Sequence, residues 1–199
     1  MRSRLAGVLA MSVMLLGVTA SPPAHAHFLG RDSVDDGEIR YSESTVHDEP
    51  LATAILVWNS KRQVRIRPDN MWNVEDVKVS DASWPWSDAC GQWEDSAGKD
   101  DIWINLDVYY PLSGHDKDAC MTHEFGHALG LGHSFDGQLM KYGYGPGAVD
   151  TPRCHDMQDY NSLWGGLTAE CLNGDPGTVP RPPSQVHLPP VGNPIDLVH

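Results

Sequence analysis

Three imidazoles and one carboxylate lie within His123-Glu124-Phe125-Gly126-His127-Ala128-Leu129-Gly130-Leu131-Gly132-His133. On an α-helix, His123 and His127 stand about one turn apart on one face and can reach a single ion. Glu124 projects at an angle to that face, close enough to hold a metal-activated water without ligating the metal. Gly130 accepts the positive φ of a helix C-cap, so the chain can turn there and bring His133 back as a third ligand. Three neutral nitrogens plus one open position is the ligand set of a catalytic zinc. A structural zinc would take a fourth protein ligand and has no need of Glu124. Zinc lowers the pKa of a bound water to about 7 and polarises a carbonyl oxygen. Glu124 can accept the water's proton and pass it to a leaving amine. The chemistry these residue types support is hydrolysis of a peptide bond.

The spacing of these residues resembles the extended zinc motif of the metzincin metalloendopeptidases. Ser134 and Asp136, just after His133, make it look most like the matrixin branch. The resemblance implies Zn²⁺ as cofactor, with His123, His127 and His133 as ligands and Glu124 as general base. It also implies that Leu139-Met140 forms the Met-turn, with Met140 packed beneath the three histidines and not itself a ligand. Beyond Met140 the pattern departs from matrixins, which usually continue with Tyr-Pro where this chain has Lys141-Tyr142. Tyr142 stands where astacin-like and serralysin-like members carry a tyrosine that can approach the metal, which makes it a candidate transition-state stabiliser. Tyr144 stands where matrixins often carry a substrate-pocket tyrosine. The alternative for both is an ordinary loop tyrosine in a turn rich in glycine (Gly143, Gly145, Gly147). Pro152-Arg153-Cys154 echoes the pro-segment cysteine switch of matrixins, but it follows the zinc helix and lacks the next glycine, so it is read as coincidence.

The elements that must position these residues follow from periodicity. Glu38 to Ser42 reads as a first strand. Thr45 to Asn59 reads as an amphipathic helix with Val46, Leu51, Ala54, Ile55 and Trp58 near one face and Pro50 in its first turn. Val64 to Arg67 and Val77 to Val79 alternate as strands. Residues 81–100, with Trp84, Trp86, Cys90 and Trp93, read as a polar surface loop pinned by a disulfide. Ile102 to Leu106 is the next strand, and a substrate is expected to pair along it as the sheet edge. The zinc helix is expected from Asp116 or Asp118 to about Gly130. A last helix is expected from Thr151 as N-cap, with Pro152 at the first helical position, to Leu163-Trp164 before Gly165. This order matches that of metzincins. The expectation is therefore an α+β fold: a metzincin-like single catalytic domain with a mixed twisted sheet, an N-terminal helix, a zinc-binding active-site helix and a C-terminal helix.

Arg2 and Arg4, the apolar run Leu5 to Val18 and Ala24-His25-Ala26 read as a secretory signal spanning 1–26, too short for a confident membrane span. The protease domain is then 27–172, and 173–199 is a Pro-rich, disordered tail. Only residues 27–37 separate the cleavage site from the first strand, too few for an inhibitory prodomain. Control is expected instead from an external protein inhibitor, metal supply or the segment at His27. Removing Arg2 and Arg4 from the 14 basic residues leaves 12 against 27 acidic ones, a formal charge of −15. Such acidity argues against nucleic acid and anionic membranes as partners. Ca²⁺ is a candidate ligand of Asp32/Asp35/Asp36/Glu38, Asp100/Asp101 or Asp116/Asp118, but none has an EF-hand pattern and solvated charge is the simpler reading. In an exported chain, Cys90, Cys120, Cys154 and Cys171 favour disulfides. Three pairings are open; Cys90–Cys120 with Cys154–Cys171 is favoured because each would staple a local loop to a helix.

The expected function is that of a secreted, extracellular zinc endopeptidase acting on a protein or peptide. One alternative is a catalytically silent secreted zinc protein that binds a partner through the same cleft. A third reading, copper-dependent oxidation at an N-terminal His27, has no matching second histidine to support it.

Overall fold

In the computed structural model, residues 28–70, 74–143 and 148–166 are described. The expected signal, His27, Tyr144, Cys171 and the Pro-rich tail lie outside them. The strands are β1 (Glu38–Ser44), β2 (Arg65–Pro68), β3 (Val77–Ala82), β4 (Gly91–Glu94) and β5 (Asp100–Asn105). The helices are α1 (Asp48–Asn59), α2 (Leu106–Tyr109), α3 (Gly114–Ala128) and α4 (Cys154–Trp164). Among the described residues no helix is long and apolar enough to cross a membrane.

The five strands form one mixed sheet in the order β2-β1-β3-β5-β4. The first four run parallel, and β4 pairs antiparallel with β5, Gly91 opposite Ile104 and Glu94 opposite Asp101. This corrects two expectations. Residues 81–100 are not wholly a surface loop, because they contain β4. Residues 102–106 are not an edge, because β5 lies between β3 and β4 and Leu106 already belongs to α2. β4 hid from periodicity because it is four residues long, begins with glycine and exposes Gln92 and Glu94.

Apolar residues of the sheet (Ile39, Ile66, Val77, Val79, Ile102, Ile104) share one buried core with Leu51, Ala54 and Trp58 of α1 and with Cys120, Met121 and Phe125 of α3. α1 begins at Asp48, later than Thr45. The Thr45 hydroxyl and the Val46 N–H both donate to the Asp81 carboxylate, which ties these residues to the end of β3 instead of the helix. Val46 is accordingly exposed, and Val57 takes the buried place. α3 begins earlier than expected, because the Ser113 hydroxyl caps it by accepting the Asp116 N–H. α4 begins at Cys154 behind Arg153, not behind Thr151. Its N3 residue, Asp156, accepts the Arg153 N–H, so the carboxylate sets the start of the helix.

α1 and α3 meet at Trp58. Its fully buried indole Nε1 donates to the Thr122 carbonyl, 2.9 Å away, and its ring lies 5.5 Å from that of Tyr160 on α4. Trp58 thus ties the site helix to both α1 and α4. Trp58→Ala is expected to destabilise the protein by about 3–5 kcal/mol, the usual range for deleting a buried aromatic. Urea denaturation measures this, and an unchanged midpoint would show that the junction contributes nothing.

Candidate metal centre

His123 and His127 come from consecutive turns of α3, as their spacing predicted. After Leu129, Gly130 takes φ 86° and the chain reverses. The turn is also tight against a neighbour: a Cβ at Gly130 would stand 2.0 Å from the Gly30 carbonyl oxygen. Glycine is thus required twice, for its dihedral and for its lack of a side chain. His133 follows and joins the other two, with ring centroids 4.7, 5.4 and 4.8 Å apart around the triangle. One nitrogen from each of the three lies within 4.8 Å of the others.

Two of the rings are aimed by the backbone. His123 Nδ1 lies 2.8 Å from the Leu139 carbonyl oxygen, and His127 Nδ1 lies 2.8 Å from that of Leu131. A carbonyl only accepts, so each Nδ1 carries the proton and each Nε2 lone pair is left to face an ion. Burial drives His123 down to about 4 and His127 down to about 3, the Leu139 and Leu131 carbonyls opposing the shift. His133 is lowered by burial as well. All three rings are thus neutral near pH 7, the form in which imidazole ligates a metal. The donor set therefore fits zinc.

Glu124 is buried beside this triangle. Desolvation pushes its carboxyl up to about 8, against a hydrogen bond donated by the Trp93 backbone N–H. Its Oε2 is buried and has no hydrogen-bond partner among the described residues. The Glu124 carboxylate lines the same open space as the histidines, where it could take a proton from a water they hold. The open space is a cavity of about 580 Å³, whose lining includes the three histidines, Glu124, Gly91 and Tyr142. The Tyr142 ring stands edge-on to His133 with centroids 4.8 Å apart and is largely exposed.

Met140 is buried against α3 at Gly126, where a Cβ would lie 2.3 Å from the Met140 sulfur. The turn that carries it is held by Asp156, whose carboxylate accepts the N–H groups of Leu139 at 2.8 Å and Met140 at 3.2 Å. Asp156 thereby fixes the Leu139 carbonyl that orients His123. Periodicity did not single out Asp156, Gly91 or Trp93. With the N-cap expected at Thr151, Asp156 fell past the first turn, so no capping signal marked it.

Cys90 and Cys120 form a disulfide, as favoured, and it joins β4 to α3. Cys154 is also disulfide-bonded. Among the described residues, the groups of histidine, cysteine or acidic side chains that converge within metal-binding distance are the three histidines and Cys90/Cys120/Glu124. The acidic clusters considered for Ca²⁺ are not among them. Asp100 is instead engaged with the Ser33 hydroxyl, and Asp116 with the cap of α3.

Residues 103–175 match the family described as pregnancy-associated plasma protein-A, a metzincin-type peptidase family. Over that stretch, less than half of the chain, the sequence is similar to a metzincin-type family, and a metallopeptidase of that kind implies zinc. The match is not to matrixins, so the branch expected from Ser134 and Asp136 is not supported. Both residues serve the local turn instead: the Ser134 N–H donates to the Met140 carbonyl and Asp136 pairs with Lys141. No curated protein matches the chain. Among solved structures, the GM1 bound form of the ECX AB5 holotoxin is 16% identical with a TM-score of 0.39. The alignment covers 57% of this chain and 58% of that one, less than two thirds of its length. A superposition this loose does not define a shared fold.

Two outcomes are expected. Asp156→Ala releases the Leu139-Met140 turn and lowers zinc affinity roughly 10–100-fold, the usual effect of losing such a support, measured by competition with a chromophoric chelator. Unchanged affinity would show that the turn needs no carboxylate. The second concerns Glu124 in protein stripped of metal. Its folded pKa lies above its ordinary value near 4.5. Its contribution to stability is therefore fully present below about pH 4.5 and is lost as pH rises through about 8. Glu124→Gln cannot ionise, so it should match wild type near pH 4.5 and grow more stable than wild type toward pH 8. Equal urea midpoints across that range would show that burial does not disfavour the anion.

Proposed function

We propose that this chain is an exported zinc-dependent endopeptidase. The observation that carries the reading is the pairing of three neutral, converging imidazoles with a buried carboxylate that keeps one oxygen unpartnered. His123, His127 and His133 would hold the zinc. Zinc bound there would polarise the scissile carbonyl and acidify the attacking water.

The chain's own residues do the rest. Glu124 accepts the water's proton on its carboxylate and delivers it to the nitrogen of the leaving amine. Tyr142, edge-on to His133, would donate its hydroxyl to the negative oxygen that develops on the substrate carbon. The substrate lies in extended form along β4, the edge strand beside the cavity, in place of the 102–106 strand. Export after removal of residues 1–26 accounts for the disulfides and places the domain outside the cell.

Zinc content and cleavage of a peptide library by wild type and Glu124→Ala test the reading. Both are expected to hold one zinc, with cleavage reduced roughly 10²–10⁴-fold in the variant. Equal turnover would overturn the mechanism. One zinc in each and no cleavage by either would favour a zinc protein that captures a partner in this cleft.

A further inference from the structure

We propose that the edge strand β4 is the positioning element for the general base: Gly91 and the backbone of Trp93 clamp the Glu124 carboxylate in its working orientation. This rests on the endopeptidase reading of the cleft. Glu124 leaves α3 on a flexible side chain, and the helix alone does not fix its rotamers. Its neighbours on β4 do so from two points. A Cβ at Gly91 would stand 2.8 Å from Glu124 Cγ, 3.0 Å from Oε1 and 3.1 Å from Cδ. Real Cβ atoms do not approach so closely, so the carboxylate occupies the space that any other residue at 91 would fill. Gly91 lies in a strand and has no positive φ, so its glycine is explained by this contact and not by its backbone. Two residues on, the Trp93 N–H donates to the same carboxylate. Gly91 and Trp93 face the same side of an extended strand, so both act on Glu124 at once.

The strand itself cannot drift from the helix. Cys90, the residue before Gly91, is disulfide-bonded to Cys120 with Cα atoms 6.2 Å apart. Cys120 precedes Glu124 by one helical turn, and both sulfurs and a Glu124 oxygen lie within 4.8 Å of one another. Crosslink, contact and hydrogen bond thus meet within four consecutive residues, Cys90 to Trp93. Held there, the carboxylate takes the Trp93 N–H on one oxygen and keeps Oε2 without a hydrogen-bond partner among the described residues.

Gly91→Ala tests the clamp, because alanine is allowed in a strand and the three atoms nearest the new methyl group all belong to Glu124. With one zinc retained, kcat is expected to fall roughly 10–100-fold, the cost of misplacing a reacting group by about 1 Å, while KM stays within about twofold. A merely structural role would move stability without that split. The melting temperature supplies a readout that needs no substrate. Gly91→Ala is expected to lower it in wild type and to leave it unchanged on a Glu124→Ala background, since the clashing side chain is gone. Wild-type kcat in Gly91→Ala, or an equal melting loss in both backgrounds, would overturn the clamp. If wild type itself cleaves nothing, the endopeptidase reading fails, and the melting cycle still decides whether β4 grips Glu124.

Discussion

The structure turns on the aiming of two buried imidazoles by backbone carbonyls. A histidine ring offers two nitrogens, and only the partner of one decides which faces inward. The Leu139 and Leu131 carbonyls make that choice for His123 and His127. Much of the chain after α3 is arranged to bring those two oxygens into place. Leu131 follows at once through the reversal at Gly130. Leu139 must return from a longer excursion, and it does so because Asp156 seizes two successive N–H groups of its turn. Met140 then fits under the helix only because Gly126 has no side chain.

Burial gives the centre its electrostatic character. Removed from water, the histidines resist protonation and Glu124 resists ionisation, so the group as a whole prefers to be uncharged. A divalent cation reverses the preference for the carboxylate, because an opposite charge nearby favours the anion. The same low dielectric makes each held donor and acceptor count for more than it would at the surface. Rigidity comes from the same contacts. Trp58 seats α3 on α1, and the Cys90–Cys120 disulfide seats it on β4, so the helix that carries two of the imidazoles is fastened on two sides.

Legibility differed between the two halves of the site. The histidines, Glu124 and the Gly130 turn were legible because they lie in one short segment, where helical periodicity alone places side chains. α1, β2, β3 and β5 were legible from alternation or amphipathicity, and helix ends were misplaced where a side-chain hydrogen bond, distant or local, intervened. Asp81 delayed α1, Ser113 advanced α3 and Asp156 shifted α4. β4 was illegible, since four residues beginning with glycine carry too little pattern to oppose a loop.

What the sequence by itself determined is the chemistry: which atoms can ligate, which can move a proton, and that one helix and one turn bring them together. These are local facts, set by spacing of a few residues on a helix whose pitch is known. What only the tertiary structure decided is the surroundings of that chemistry. The edge beside the cavity is β4 and not β5, the carboxylate that supports the Met-turn comes from α4, and the space for Glu124 is the missing side chain of Gly91. Each of these joins residues well separated along the chain. Such contacts follow from how the sheet and helices pack, and no period within a single element encodes them.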